Sequence, residues 1–405
     1  YLRGRVRQEL VDIHLVRTWV HHCDSNHGKA CKPAKSEDSY WMPSWVIDVQ
    51  TRTLVPGKET GREGAAVHYA ALSYVWGPRD VPQLKHTIKD KDALAGRLKN
   101  VGGLADHWGD IPNTLRDAMT LCQEIGIPYL WVDAVYLEQD NITKVDLDSM
   151  GRVYRRAYLT IVAAAGEDSW AGLPGVQRQP RVHRGGSITE KIDDISIGLY
   201  AGPCQKIIQD SKWNTRAWTF QEMIFSRRLL IFTKDEVVYE CDSDVLWRET
   251  VFSEHPDLPS RSFLIPSTSS TTKPQLPSLT GYAEKGYDAY NQYIQILKLY
   301  TRRQMTDSSD VLNAVQGILA EIEEATSQPF SYGIPLIFAY HYLLFDIIGY
   351  CDDLRRPKFP SWSWCGWQNI SVVEEPSSPG LLFYELLCDV LVQAYNCSLP
   401  VGPSS

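Results

Sequence analysis

The sequence lacks any run of about 18 apolar residues, so no segment reads as a membrane-spanning helix. Its Arg-rich, amphipathic start has no short apolar core of the kind a secretory signal needs. A cytoplasmic location is therefore expected, with no membrane partner. The cysteines, nine in 405 residues, are odd in number and irregularly spaced, which argues against a secreted disulfide framework and for reduced thiols. Positive charge is in deficit: 41 Lys and Arg face 49 Asp and Glu, for a net charge of −8. A nucleic acid would have to be held by a local basic patch against that field. The densest basic clusters, Arg152/Arg155/Arg156 and Arg302/Arg303, read instead as solvated faces or ion-pair partners, so no nucleic-acid partner is expected. Also missing are the phosphate-binding P-loop, the Gly-x-Gly-x-x-Gly dinucleotide fingerprint and the Gly-x-Ser-x-Gly nucleophile elbow. A glycine-loop nucleotide cradle and a Ser-His-Asp hydrolase are thereby without support, and no cofactor is expected.

What the chain has in quantity is amphipathic aromatic surface, with 13 Trp and 21 Tyr, and enough apolar residues, 43%, for a substantial core. Residues 1–60 read as an N-terminal segment with a helix through Leu10 to Val20 and an extended stretch at Trp45 to Val49. A strand–helix alternation follows. Tyr69 to Val75 is an apolar run stopped by Trp76-Gly77-Pro78, and Ile111-Pro112 opens a helix with Leu115, Ala118, Cys122 and Ile125 at helical spacing. A strand over Tyr129 to Val135, a helix through Met150 to Arg156, a strand over Tyr158 to Ala165 and a hairpin at the sheet edge around Lys234-Asp235 complete it. The pattern predicts an α/β domain over 61–256 with a largely parallel sheet flanked by helices. A Ser/Thr/Pro-rich loop is predicted over 257–280, and a mainly helical region packed on that domain over 281–405. In the latter, Ser309 is the expected cap of a helix carrying Leu312, Val315, Leu319 and Ile322, and 334–349 reads as an apolar helix.

Three segments, in order, resemble the fungal heterokaryon-incompatibility (HET) domain. The first is Tyr69-Ala70-Ala71-Leu72-Ser73-Tyr74-Val75-Trp76-Gly77. The second runs from Ile111-Pro112 through Tyr129-Leu130-Trp131-Val132-Asp133 to Gln139-Asp140, then Met150, Tyr154, Ala157 and Gly172-Leu173. The third is Trp213-Asn214-Thr215-Arg216-Ala217-Trp218-Thr219-Phe220-Gln221-Glu222, followed by Ser226-Arg227. After Asp133 the family has an apolar stretch with Cys, whereas this chain has Tyr136 in its place and a carboxylate, Glu138, where an aliphatic is usual. The HET domain is itself similar to Toll/interleukin-receptor (TIR) domains, which implies a TIR-like, flavodoxin-like fold. Some TIR domains cleave NAD at the nicotinamide–ribose bond with a Glu soon after a Trp, and Glu222, following Trp218, matches that arrangement.

The resemblance makes Glu222 the first candidate catalytic residue, since a carboxylate beside the ribose can stabilise an oxocarbenium-like centre or orient water. A structural role is equally open, in a cluster of Trp213, Arg216, Trp218 and Glu222. Asp133 sits where a parallel strand would end, and ligands bind beyond such ends. It is the second catalytic candidate, with a helix cap as its alternative. Ser73, Tyr74, Trp76, Trp131, Arg216 and Trp218 are candidate substrate-binding residues, the aromatic ones also suiting plain core packing. If the strand extends past Asp133, Tyr136 and Glu138 share one face and join that group.

Cys23, His27 and Cys31 have spacing compatible with zinc, and the adjacent His21 or His22 could complete a set of four, but no second Cys-x-x-Cys or His pair lies near them, so the metal-free reading is preferred. Three functions follow. The first is non-self recognition or cell death, with NAD as a candidate substrate and homo-oligomeric assembly as an option. The second is a repurposed HET-like enzyme of secondary metabolism that promotes cyclisation or rearrangement of an apolar small molecule in an aromatic-lined cavity. The third is a noncatalytic interaction module.

Overall fold

The computed structural model describes residues 4–32, 41–60, 67–78, 80–83, 101–136, 144–177, 181, 190–192, 195–197, 204–243, 245–252, 286–335, 345–347, 354–368 and 370–372. The chain divides into two compact units, Tyr1–Pro274 and Gln275–Ser405. Among the described residues the first contains ten strands: β1 (Trp45–Asp48), β2 (Thr53–Pro56), β3 (Tyr69–Ser73), β4 (Tyr129–Trp131), β5 (Leu159–Ala163), β6 (Glu190–Ile192), β7 (Ile195–Ile197), β8 (Arg228–Phe232), β9 (Val237–Cys241) and β10 (Val245–Arg248). Eight of them form one sheet in the order β10-β9-β8-β5-β3-β4-β1-β2, and β6 with β7 makes a separate hairpin.

The four central strands β4, β3, β5 and β8 are mutually parallel, while both flanks are antiparallel. This is the α/β sheet expected from the sequence, with the parallel part confined to its middle. β3, β5 and β8 are buried at every position, as strands covered on both faces must be. In chain order the parallel strands lie 2-1-3-4, the start of a doubly wound arrangement, so a switch point falls between β3 and β5.

Helices cover the sheet because their sequences supply one apolar face and a clear stop. In α1 (Ile13–Asn26) the Asp12 carboxylate accepts from Leu15 N at 3.0 Å, and Leu15, Val16, Trp19, Val20 and Cys23 are buried. In α2 (Asn113–Ile125) Leu115, Ala118, Met119 and Cys122 are buried, and Gly126 ends the helix at φ +82° with its N–H on Cys122 O. α3 (Lys144–Arg156) and α4 (Trp218–Phe225) follow, and α4 packs on α3. Among the described residues no helix is long and apolar enough to cross a membrane.

In this unit three expectations need correction. The strand over 129–135 ends at Trp131, and Asp133–Tyr136 is a helical turn in which the Asp133 carboxylate accepts from Ala134 N at 2.7 Å. Tyr136 is therefore not on an extended strand, and the argument that it shares a face with Glu138 lapses. Glu138 lies outside the described residues, as does the side chain of Tyr136. The hairpin of β8 and β9, closed by Thr233, is found, yet β10 pairs outside it and forms the edge.

In the second unit, α5 (Gly286–Tyr300) is followed by two short 3₁₀ turns and α6 (Gln316–Thr326). The cap before Ser309 is Asp307, which accepts from Ser309 N at 2.9 Å, and Ser309 is itself the second residue of the first turn. Of the helix expected over 334–349, the described residues 334–335 and 345–347 are extended, and the rest lie outside the described residues. Ile334–Pro335 (β12) pairs with Phe330–Ser331 (β11) through Gly333 at φ +79°, and Phe345–Ile347 (β13) pairs with Ile370–Val372 (β14). A short apolar run does not by itself distinguish a helix from a buried strand, and Pro335 disfavours a helix through it. The Ser/Thr/Pro-rich stretch 257–280 lies outside the described residues.

Candidate active site

The carboxyl ends of β3 and β4 bring the first set of polar groups together. Ser73 is the last residue of β3, and Asp133 follows β4 by two residues. A third contribution comes from the segment before β8. There the turn Lys212–Thr215, capped by Ser211 Oγ accepting from Asn214 N at 3.2 Å, sets the Trp213 indole, and α4 carries Glu222. Ser226 fixes the end of α4 by donating to Glu222 O at 2.6 Å and lying 2.7 Å from Thr160 Oγ1 of β5. The helix is thus tied to the sheet at the point where it presents its carboxylate.

A buried relay results. Trp213 Nε1 donates to Ser73 Oγ at 2.6 Å, and Ser73 Oγ donates in turn to Glu222 Oε2. The Tyr154 hydroxyl, on α3, donates to Leu72 O at 3.2 Å and interacts electrostatically with Glu222. Beside this relay, Trp76 Nε1 donates to Asp133 Oδ2 at 3.0 Å and Arg216 Nη1 donates to Tyr74 O at 3.0 Å. Ser73, Tyr74, Tyr154, Trp213 and Glu222 are buried, whereas Trp76, Asp133, Arg216 and Trp218 are partly exposed. The second group forms the accessible side of the cluster.

Electrostatics follow from this burial. Loss of solvent, and next the charge of Asp133, push the Glu222 carboxyl up to about 7, against the opposing pull of Ser73, Arg216 and Tyr154. Burial pushes Asp133 up to about 6, although Ala134 N–H, Arg216, Trp76 and Tyr74 oppose it. Tyr74 and Tyr154 are raised well above the ordinary phenol range by burial, then by Asp133 and Glu222 respectively. Two neighbouring carboxyls that titrate near neutrality can exchange a proton with a substrate or water, which carboxyls of ordinary acidity do poorly.

Of the residues singled out in the sequence, Ser73, Tyr74, Trp76, Asp133, Arg216 and Glu222 meet here. Trp131 is fully buried edge-on against Tyr154, ring centroids 5.4 Å apart, and serves the core. Trp218 sits half-buried at the first turn of α4. Tyr154 enters the site without having been named for it, while Trp213, named only for a structural cluster with Glu222, is tied to it through Ser73; polar-tipped rings inside the HET-like segments were the available signal. Cys23, His27 and Cys31 also come together, away from this cluster, and Cys241 joins them.

Residues 69–222 match the family model described as heterokaryon incompatibility protein (HET). That stretch runs from the first residue of β3 to Glu222, so every member of the relay lies within it. Among curated proteins and among solved structures nothing matches the chain. Over residues 69–222 the chain therefore carries a domain that matches the heterokaryon-incompatibility family.

Proposed function

We propose that this HET domain hydrolyses the nicotinamide–ribose bond of NAD and that this reaction serves non-self recognition or cell death. The observation that supports this reading best is the buried Glu222, held by Ser73 beside Asp133 and raised to about 7. The bond between ribose C1′ and the nicotinamide nitrogen breaks, and nicotinamide leaves as a neutral ring that needs no proton. The ribose becomes oxocarbenium-like, and the ionised Glu222 stabilises that charge. Water then adds at C1′, its proton passing to a carboxylate, and ADP-ribose is formed. Arg216 and Trp76, on the accessible side, suit the phosphates and the planar ring of the substrate.

The test is release of nicotinamide from NAD by the purified protein and by Glu222→Gln, also at high protein concentration so that assembly can occur. Release that falls by at least about 100-fold in a folded variant is expected. No release from the folded parent would overturn the reading and turn attention to rearrangement of apolar small molecules.

A further inference from the structure

At the opposite end of the parallel strands lies a second cluster. Cys241 ends β9 and pairs with Arg228, the first residue of β8, so it stands at the amino ends of the parallel strands, away from Ser73 and Asp133 at their carboxyl ends. Cys23 is in the last turn of α1, His27 is its C-cap and Cys31 ends the short helix Gly28–Cys31. Gly28, at φ +53°, turns the chain between them in a conformation that other residues adopt with strain. One ligand atom from each of Cys23, His27, Cys31 and Cys241 lies within 4.8 Å of all the others, and Cys241 Sγ is 3.3 Å from His27 Nδ1. The three thiols are buried and none is in a disulfide.

We propose that Cys23, His27, Cys31 and Cys241 form a structural zinc site that staples α1 to the β8–β9 hairpin. A tetrahedral zinc with Zn–S bonds of about 2.3 Å sets its ligand atoms roughly 3.5–3.8 Å apart, a spacing this cluster reaches with small side-chain adjustment. Three soft thiolates and one imidazole select zinc over magnesium or calcium. Four protein ligands leave no open position, so the ion serves the fold and not a reaction. The surroundings also suit the charge. Three thiolates and Zn²⁺ carry a net single negative charge, and Arg228, itself buried, places Nε 3.3 Å from Cys23 Sγ while its Nη2 pairs with Asp24 at 2.9 Å. Ser243 Oγ lies 3.4 Å from Cys31 Sγ and supplies a second outer contact. The fourth ligand comes not from the neighbouring His21 or His22 but from a strand 210 residues further on (241 − 31).

The inference is independent of any activity at Glu222. Zinc in the untagged full chain, expressed with zinc in the medium, is measured by elemental mass spectrometry, and about one ion per chain is expected. Cys241→Ser and His27→Ala should reduce it at least about fivefold, whereas Cys122→Ala, at a buried thiol in α2, should leave it unchanged. Should the ligand variants fail to fold, the parent protein is stripped with a chelator and refilled with Co²⁺, whose thiolate charge-transfer and tetrahedral d–d bands report the donor set. Absence of both zinc and those bands overturns the site, as does a disulfide among Cys23, Cys31 and Cys241 found by peptide mapping under non-reducing conditions.

Discussion

Ser73 and Glu222, 149 residues apart in the chain, share a buried hydrogen bond in which the serine hydroxyl donates to the glutamate carboxylate. Trp213 donates to the same hydroxyl at 2.6 Å, so one small side chain on a central strand orients both an indole and a carboxylate. Threading a helix carboxylate onto the carboxyl end of β3 is what places an acid beside Asp133 in the candidate site. It also leaves an acid in a place where its charge is costly.

Ser73→Ala removes the acceptor of Trp213 Nε1 and a donor to Glu222 together. Each orphaned buried group should cost about 1–3 kcal/mol. The effect should not add to that of Glu222→Gln, because both act on one bond. Urea denaturation of the two single variants and the double variant checks this. Simple additivity would mean that the relay carries no coupled energy.

Gly151 faces Phe225 across the packing of α3 on α4, and a Cβ there would meet the Phe225 ring at 2.6 Å. Helix propensity alone would make Gly151→Ala stabilising by about 1 kcal/mol. The overlap is expected to win, since overpacking costs roughly 1–3 kcal/mol and the buried ring also carries the Arg155 guanidinium 4.7 Å from its centroid. A lower unfolding midpoint for Gly151→Ala supports the packing of α4 on α3 that positions Glu222, and a higher midpoint would refute it.

The sheet was legible because Tyr69–Ser73, Leu159–Ala163 and Arg228–Phe232 are unbroken buried runs between turn residues. The turn at Asp133 was not, since Val132, Ala134 and Val135 continue the apolar run of β4 while the backbone already bends into helix. Glu222, Asp133 and Ser73 could each be picked out by residue type and by resemblance, but not their contacts, which depend on how β3, β4 and α4 converge. Cys241 escaped for a related reason. Ligand spacing rules see neighbours along one segment, and this fourth donor arrives through strand pairing.

The Asp133 charge is the second cause, after burial, of the raised Glu222 carboxyl. Asp133→Asn keeps a carbonyl oxygen for Trp76 or for Ala134 N–H while removing that charge. The Glu222 titration should therefore move to lower pH, a shift visible by NMR of side-chain-labelled glutamate. An unmoved titration would mean that the two carboxyls do not sense each other.

Stability against pH gives the most direct measure of what the site costs the fold. The folded carboxyl of Glu222 stands at about 7 against an ordinary 4.5, so its contribution to stability is fully present below about pH 4.5 and is lost as pH rises through about 7. Asp133, raised from 3.8 to about 6, acts with the same sign over a lower window. For Glu222 alone the loss is on the order of 3 kcal/mol between those limits. A glutamine at 222 cannot ionise, so the stability of Glu222→Gln relative to the parent should rise between pH 5 and pH 8. A relative rise on the order of 3 kcal/mol over that range would be the signature of a carboxyl held at the expense of the fold. Denaturation curves of both proteins at the two pH values decide it. Parallel curves would mean that Glu222 titrates as an ordinary acid and is held in place for packing.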